Sequence, residues 1–397
     1  MEIDQHISKG KRIRKIILFA LFICIITLPL LEYGLNVSNE YENTENRNKA
    51  TLPKFTISNI DSFPNRFDEY FSDNHNFRGD LLILNSLFKI NVLNISPVKD
   101  IVEGKNGWYY RTKYIEPYIN ERLFNNIELD SFNAIFTYRA SWLADKGIKN
   151  YFIIVPNKSQ IYPEFLPDRY SKSRLTKTDQ FIKSTKKIPN FEVFYLKDAL
   201  LSEKEKSSYN LYYKTDQHWN EYGAVVGLIA IINKIKLDFP ELQSIQLSDF
   251  NIDTISVEGK GMAKALLQNK SIKELEIKMI NKIPKELQYH DTTMYPIPAK
   301  FPYKFIHQQF YSTNEKNLPK VLIIRDSFSS ILKKQFSRSF SWSTFFWDSW
   351  CYELNKSVVE NEKPDIFITI IIESNLPYII YKHPSARKDK LDVIDVI

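Results

Sequence analysis

Short apolar runs alternate along the chain with segments in which apolar residues recur at helical spacing. Three apolar runs rich in β-branched residues predict buried strands at residues 151–155, 318–324 and 365–372, and residues 191–195 are predicted to form another strand. Helical spacing predicts helices at residues 123–146, 198–208, 222–235 and 328–336. Strands without polar alternation are typical of a sheet covered on both faces. The pattern therefore predicts an α/β fold, a three-layer sandwich with a mostly parallel central sheet.

A basic segment followed by an apolar run opens the chain. Since a membrane-spanning helix needs about 20 residues, residues 16–31 cross a bilayer only if Lys15 and Glu32 snorkel. The positive-inside rule places the N-terminus in the cytoplasm and the later residues outside it, with signal-peptide cleavage as the alternative. We expect a cytoplasmic segment at 1–15, a single-pass transmembrane signal-anchor in the cell (inner) membrane at 16–35, a juxtamembrane linker at 36–54 and one extracytoplasmic domain, periplasmic or cell-surface, at 55–397.

Composition narrows the classes of protein to consider. Hydrophobic residues make up 43% and charged residues 25% of the chain, as in folded globular proteins. The net charge of +7 is spread over acidic and basic residues without a recognisable module, so nucleic acid is not an expected partner. Two cysteines, Cys24 and Cys351, give neither a disulfide framework nor zinc-ligand spacing. No metal and no cofactor are therefore expected.

Three further segments carry structural predictions. The Asn106-Gly107 pair between β-forming flanks predicts a tight hairpin at 102–110. Residues 259–267 and the Lys-rich residues 270–285 are interpreted as an exposed insertion, helical in part. The aromatic-rich residues 342–350 are interpreted as core, with a cleft lining as the alternative, and His75 as a capping or surface histidine.

Two distant loops carry the candidate chemistry. Asp216 and His218 precede the predicted helix at 222–235, for which Asn220 is a suitable N-cap. Ser327 follows the predicted strand at 318–324 and opens a helix, so its hydroxyl is exposed and free helix N–H groups face any oxyanion formed there. A serine nucleophile needs a base, and the base needs an orienting carboxylate. We therefore predict an Asp216–His218–Ser327 triad, because positions i and i+2 of an extended loop fall on one side.

The two parts of this triad each have simpler explanations. An Asp-x-His pair also occurs as a capping turn or a metal-ligand pair, and an Asp-Ser pair after a strand can be plain N-capping. A metal site on Asp216 and His218 lacks a visible third ligand of suitable spacing.

The same residues carry a resemblance to a known family. Asp-Gln-His-Trp-Asn at 216–220, Tyr-Gly-Ala at 222–224 and Arg-Asp-Ser-Phe at 325–328 resemble signature blocks of the alginate O-acetyltransferase-type (AlgJ/AlgX-like, DHHW) branch of the SGNH hydrolase-like proteins. Residues 71–78, 104–108, 155–164 and 364–373 agree with it, so the similarity covers nearly the whole body of the chain.

The resemblance implies a membrane-anchored, extracytoplasmic enzyme that moves acetyl groups onto hydroxyls of a secreted or cell-surface polysaccharide. The polysaccharide is then the acceptor, and a membrane-bound O-acyltransferase is the expected partner that supplies the acetyl group. It assigns Ser327 as nucleophile, His218 as base and Asp216 as orienting acid. The chain departs from the family pattern at Arg325, where serine-elbow motifs often have glycine, at Gln217, which replaces the first histidine, and at Ser374, where related chains often carry arginine.

The expected mechanism is ping-pong, with an acetyl group carried by Ser327 and resolved by a sugar hydroxyl. The Ser327 N–H and a second donor, Asn157 or Lys158, are expected to stabilise the tetrahedral intermediate, and Arg325 and Trp219 are further candidates for substrate contact. Two alternatives stay open. One is a carbohydrate acetyl esterase with the same triad, and the other is a non-catalytic polysaccharide-binding subunit of an export complex.

Overall fold

The structure is a computed structural model that divides into two compact units. It describes residues 12–24, 26–27, 49–74, 78–93, 95–119, 122–283, 285–298, 301, 303–348 and 351–381. The first unit comprises residues 1–99 with 264–270, and the second comprises residues 100–263 with 271–397. The predicted triad lies entirely in the second unit.

The first unit is helical where it is described. Its main helices are Phe63–Asn74 and Arg78–Asn91, and a 3-10 turn covers Ile57–Asn59. Buried Asp73 accepts a hydrogen bond from the Ala50 N–H over 3.0 Å. Ser86 donates to the Leu266 carbonyl over 2.6 Å, which ties in residues 264–270.

The predicted transmembrane helix at 16–35 is not found within the residues that the structure describes. Residues 12–24 are helical, but no helix among the described residues is long and apolar enough to cross a membrane. Residues 25 and 28–35 of the predicted span, residues 36–48 of the predicted linker, and His75 lie outside the described residues.

A seven-stranded sheet forms the centre of the second unit, and it is mixed. The strands are β3 (Lys149–Val155), β4 (Glu192–Tyr195), β7 (Gln288–His290), β8 (Gln308–Ser312), β9 (Lys320–Arg325), β10 (Trp342–Trp347) and β11 (Ile366–Ile372). Their spatial order is β4-β3-β11-β9-β10-β8-β7. The first five strands in this order pair in parallel, whereas β8 pairs antiparallel with both β10 and β7. The expectation of a mostly parallel sheet is therefore met by five strands but not by the edge formed by β8 and β7.

Helices cover both faces of this sheet, as the apolar runs predicted. In β9, Val321 and Ile323 pack into one hydrophobic core and Leu322 and Ile324 into the other. Helices Glu221–Ile235 and Lys333–Ser337 contribute to the first core, and Asn126–Ala144, Lys177–Thr185, Lys356–Glu362 and Leu376–Tyr381 to the second. The remaining helices are Thr112–Ile119, Lys158–Ile161, Lys197–Lys204 and Gly261–Ala265, with 3-10 turns at Lys105–Gly107, Pro163–Phe165, Leu247–Asp249, Lys304–Ile306, Ser327–Ile331 and Glu373–Asn375.

The hairpin prediction is confirmed. Strands β1 (Ile101–Glu103) and β2 (Tyr109–Arg111) pair antiparallel. Asn106 and Gly107 occupy the left-handed region between them, with φ of 55° and 76°. Asparagine and glycine tolerate this conformation, which explains why the turn forms at that pair.

The interpretation of residues 259–267 and 270–285 as an exposed insertion, helical in part, holds for the helix Gly261–Ala265 but is wrong for residues 270–285. Strand β6 (Lys273–Asn281) pairs along its length with β5 (Phe250–Glu258). Glu274, Ile277 and Met279 are buried whereas Lys273 and Lys278 are exposed, and this burial does not follow a period of two because Glu274 and Ile277 are three residues apart. By contrast, Trp342–Trp347 forms a sheet strand with a largely buried centre, as the core interpretation predicted, and Trp350 lies outside the described residues.

Candidate active site

Two loops beside the carboxyl end of β9 bring the predicted triad together. Asn220 caps the helix Glu221–Ile235 by accepting from the Gly223 N–H over 3.0 Å, and His218 lies just before this cap. Ser327 follows β9 and opens the 3-10 helix Ser327–Ile331. Each loop is thus held by a helix start that the sequence pattern had indicated.

The three side chains form a continuous hydrogen-bonded chain. His218 Nδ1 lies 2.6 Å from Asp216 Oδ1, and His218 Nε2 lies 2.9 Å from Ser327 Oγ. The main-chain N–H of His218 also donates to Asp216 Oδ1 over 3.0 Å. The Asp216 side chain is 17% exposed and the His218 side chain 27% exposed, so the chain reaches solvent. Ser327 is half-buried.

The charge state of Asp216 suits the role of an orienting acid. Burial by itself would raise the pKa of this carboxyl group, but the attraction and hydrogen bonds of His218 outweigh it and lower the pKa to about 2. An ionised carboxylate can only accept hydrogen bonds, so His218 Nδ1 carries the proton. The lone pair of Nε2 is then directed to the Ser327 hydroxyl, which is the arrangement for base-assisted nucleophilic attack.

Lys158 holds the loop that carries Asp216. Its Nζ donates to the carbonyls of Tyr213 and Lys214 over 3.0 Å each and of Asp216 over 2.7 Å. Burial lowers the pKa of Lys158 to about 7. An ammonium group has three donors, and these three carbonyls use them all, so Lys158 has no donor for an oxyanion. Its position favours a positioning role over the predicted oxyanion role.

Glu274 holds the same loop from the other side, and sequence reasoning missed it. This buried carboxylate accepts from the Lys214 N–H over 3.2 Å, the Thr215 N–H over 2.8 Å and the Thr215 hydroxyl over 2.6 Å. The sequence pattern carried no signal for it, because Glu274 lies at the opposite parity from the buried Ile277 and Met279 of β6.

Asp326, beside the candidate nucleophile, is the N-cap of the 3-10 helix Ser327–Ile331, as the capping alternative described, and its other contacts were not predicted. Its carboxylate accepts from the Phe328 N–H over 2.9 Å, the Tyr352 hydroxyl over 2.7 Å and the Ile372 N–H over 2.8 Å. Burial raises the pKa of Asp326, although these hydrogen bonds oppose the shift. Since Ile372 ends β11, Asp326 fixes the Ser327 turn to the neighbouring strand.

Asn157 is the predicted oxyanion donor with a free amide. It follows β3, is fully buried, and its main-chain N–H donates to Glu373 Oε1 over 2.7 Å. Within the part of the chain that the structure describes, its side-chain Nδ2 and Oδ1 have no hydrogen-bond partner. A buried, unpaired amide at the strand end is suited to bind a group that arrives with substrate.

Trp219 and Arg325 lie inside the protein rather than on an open cleft. Trp219 is 1% exposed, and its indole Nε1 donates to the Phe328 carbonyl over 2.8 Å. Arg325 is fully buried, with its guanidinium 4.5 Å from the centre of the Trp347 ring. The position of Trp219 favours a positioning role. The Arg325 guanidinium donates to Ser330 Oγ and to the Ile306 carbonyl over 3.0 Å each. Among the described residues, no group of three histidine, cysteine or acidic side chains could hold a metal ion.

Comparison with known proteins relates this site to a family. Residues 101–295 match the family described as "SGNH hydrolase-like domain, acetyltransferase AlgX". No curated protein sequence matches the chain.

Several solved structures are similar at low sequence identity. Bacillus cereus PatB1 with a sulfonyl adduct is 16% identical, with a TM-score of 0.50 over 69% of this chain and 96% of that chain. A DHHW family protein from Eubacterium siraeum is 16% identical, with a TM-score of 0.47 over 70% and 95% of the two chains. The O-acetyltransferase domain of Pseudomonas putida AlgJ is 15% identical, with a TM-score of 0.45 over 70% and 92%. The likeness to PatB1 agrees with the α/β fold described above.

Proposed function

The chain carries an SGNH hydrolase-like domain of the AlgX acetyltransferase type, as its resemblance predicted, and from this premise we propose that it is a polysaccharide O-acetyltransferase. It moves acetyl groups onto hydroxyls of a secreted or cell-surface polysaccharide through an acyl-enzyme on Ser327. The observation that supports this proposal most directly is the unbroken chain of hydrogen bonds from Asp216 through His218 to Ser327.

In the first half-reaction, His218 Nε2 takes the proton of Ser327 Oγ as the oxygen attacks the acetyl carbonyl carbon. The Ser327 N–H and the Asn157 side-chain amide donate to the resulting oxyanion. When the intermediate collapses, the bond to the donor oxygen breaks and that oxygen takes the proton from His218. Asp216 stays ionised and stabilises the protonated imidazole.

In the second half-reaction, a sugar hydroxyl gives its proton to His218 and attacks the acetyl-Ser327 ester. The new ester forms on the sugar, the bond to Ser327 breaks, and Ser327 Oγ recovers the proton. Water in place of the sugar would give an esterase, so exclusion of water or tight sugar binding distinguishes the two reactions.

The experiment uses the full chain with 4-nitrophenyl acetate and an acceptor glycan, and mass spectrometry detects acetyl groups on the sugar. Acetylated sugar supports the transferase, whereas acetate release without acetylated sugar overturns it in favour of the esterase. Ser327→Ala is expected to abolish acetylation while glycan binding persists. Glycan binding by the unmodified chain without any acetyl transfer or acetate release would favour the non-catalytic polysaccharide-binding subunit.

The proposal includes a location and partners. We place the domain outside the cytoplasm, at the cell membrane, with a membrane-bound O-acyltransferase as acetyl source and the polysaccharide as acceptor. The basic residues that precede the apolar run at 16–31 support this orientation. An alkaline phosphatase fused after residue 381 is expected to be active in cells, and an inactive fusion beside an active cytoplasmic reporter would contradict the orientation.

A further inference from the structure

A cavity of about 610 Å³ lies at the amino ends of β3 and β4, and its size is typical of small-ligand sites. Helices Asn126–Ala144 and Lys177–Thr185 end beside it, and Asp238 lines it from the loop after the helix Glu221–Ile235. The triad lies at the other end of the sheet, beside the carboxyl end of β9. The cavity is therefore separate from the candidate active site.

Strand register gives the distance between the two sites. Ile366 of β11 pairs with Lys149 of β3 on one side and with Val321 of β9 on the other, so the start of β3 is level with Val321. Ser327 lies six residues beyond Val321. At about 3.3 Å per residue, the cavity and the candidate nucleophile are about 20 Å apart along the strands.

Asn150 gives the cavity a hydrogen-bonding group that the protein itself does not use. It lines the cavity and is only 8% exposed. Within the described part of the chain, its side-chain amide has no hydrogen-bond partner. Nearly all buried polar groups in proteins are paired, so an unpaired amide requires an explanation. An amide has two donor hydrogens and an acceptor oxygen, and it is therefore suited to a ligand that both donates and accepts.

Asp238 is a second polar group of the cavity, and it is held in a fixed position. The Tyr151 hydroxyl donates to its Oδ2 over 2.5 Å, and Lys149 Nζ donates to its Oδ1 over 2.9 Å. These hydrogen bonds, first that of Tyr151, lower the pKa of Asp238, so the carboxyl group is ionised at neutral pH. Its side chain is 31% exposed, and an ionised carboxylate has more acceptor positions than these two donors fill.

The charges of the cavity wall are largely compensated. Asp238 pairs with Lys149, and Glu192, the other carboxylate of the lining, pairs with Lys234. Lys186 also lines the cavity but is exposed, so water solvates its charge. An ionic ligand would have to compete with these pairs and with water, whereas hydroxyl groups can bond to the paired carboxylates without displacing the lysines. The charge pattern favours an uncharged ligand.

The rest of the wall is partly apolar. Ile148, Ile182 and Phe191 line the cavity beside the amide of Asn150. Small-ligand sites commonly combine such apolar walls with a few fixed polar groups. A sugar unit has hydroxyl groups along its edge and C–H groups on its faces, so it complements both kinds of wall.

We propose that this cavity is a second glycan site, which binds an uncharged sugar segment through Asn150 and Asp238. The site goes beyond the proposed function, because binding there needs no chemistry at Ser327. Under the proposed function, a polymer held at the cavity stays about 20 Å from the nucleophile, and its local concentration there is raised.

The test measures oligosaccharide binding to the full chain by calorimetry. The probes are cellohexaose, laminarihexaose, mannohexaose and the acidic hexagalacturonate. We expect at least one neutral hexasaccharide to bind, and Asn150→Leu to raise its Kd about tenfold because the hydrogen bonds of the amide are lost. This variant replaces an unpaired amide with an apolar group of similar size, so it is expected to fold. Asp238→Asn, which keeps the shape of the side chain, is a second variant and should also weaken binding.

Asn133→Leu is the matched control. Asn133 belongs to the helix Asn126–Ala144, its Oδ1 has no partner within the described residues, and it does not line the cavity. This variant should leave Kd unchanged. The site is overturned if no neutral hexasaccharide binds, if hexagalacturonate binds more tightly than every neutral probe, or if Asn150→Leu and Asn133→Leu have the same Kd.

The second site and the proposed function fail in different ways. Asn150-dependent binding by a chain that transfers no acetyl group overturns only the acetyltransferase. Acetyl transfer by a chain whose glycan binding does not depend on Asn150 overturns only the second site.

Discussion

The indole of Trp219 donates a 2.8 Å hydrogen bond to the main-chain carbonyl of Phe328. These two residues directly follow His218 and Ser327, so one bond joins the loop of the candidate base to the loop of the candidate nucleophile. The Phe328 ring also packs against the His218 ring, with 4.6 Å between their centres. The short Nε2–Oγ distance therefore depends on contacts made by the neighbours of the triad as well as on the triad itself.

Replacement of Trp219 by phenylalanine tests this link. Trp219→Phe removes this hydrogen bond between the two loops, so we expect a loss of about 0.5–1.5 kcal/mol in the free energy of unfolding. We also expect kcat to fall about tenfold with little change in KM, because a displaced base raises the barrier of the chemical step. A small rise in that barrier is enough for a tenfold change in rate. Urea titration and steady-state kinetics measure both. Trp142→Phe, which lies against the other hydrophobic core, is the control, and equal effects in the two variants would argue against a positioning role.

Lys158 gives a second test of loop positioning. Lys158→Met removes the donor to the carbonyls of Tyr213, Lys214 and Asp216, of which Lys214 keeps the Tyr109 N–H. At about 1 kcal/mol for each lost hydrogen bond, the free energy of unfolding should fall by about 3 kcal/mol. The hydrolysis of 4-nitrophenyl acetate should slow even under conditions where the variant is fully folded. Lys149→Met, at the exposed start of β3, is the matched control, and a folded Lys158→Met variant with full activity would disprove the role.

Gly261 offers a test that changes one distance near the triad. A Cβ atom at this position would lie 2.4 Å from Asp216 Oδ2, which is closer than real Cβ contacts allow. Gly261→Ala should therefore displace the carboxylate and lower kcat about tenfold or more, since misplacement near 1 Å can cost about a hundredfold. Because residue 261 is exposed, stability should change little. Lys264→Ala, on the same short helix, should have no effect, and an unchanged kcat in Gly261→Ala would show that the carboxylate relaxes without cost.

The buried carboxyl group of Glu373 should make stability depend on pH. Burial raises its pKa from 4.5 to about 7, so the folded state binds more protons than the unfolded state between these values. The stabilisation is complete below pH 4.5 and is lost as the pH rises through about 7. At about 1.4 kcal/mol per unit, this group contributes a fall of about 3 kcal/mol over that range. Glu373→Gln, studied by urea titration at several pH values, should flatten the slope, and an identical slope would disprove the assignment.

Local patterns were enough to predict the layered fold and the convergence of Asp216, His218 and Ser327. The apolar runs of β3, β9 and β11 have no polar alternation because both sheet faces are covered, and a serine after such a run can only lie at a strand end. The roles of Lys158 and Glu274 could not be predicted in this way. Both bind main-chain groups of a loop far away in sequence, and residue type does not reveal which carbonyl or N–H a buried charge will reach.

The edge of the sheet illustrates the same limit. Strand β8 contains Gln308 and Gln309, whose side chains are buried through contacts with Tyr295 and Arg325 rather than through hydrophobicity. Its antiparallel pairing with β10 depends on the path of the intervening chain, which periodicity does not record. The departure at Arg325 was visible in the sequence, but its burial against Trp347 emerged only from the packing around it.

One oxygen atom, Asp216 Oδ1, receives both the ring N–H and the main-chain N–H of His218. These two hydrogen bonds hold the imidazole in a single orientation relative to Asp216. Under the proposed reaction, the departing donor alcohol and the incoming sugar must therefore exchange their protons with the same atom, His218 Nε2, one after the other. Each occupant therefore excludes the other, and the acceptor at high concentration should compete with the acetyl donor for the unacetylated enzyme.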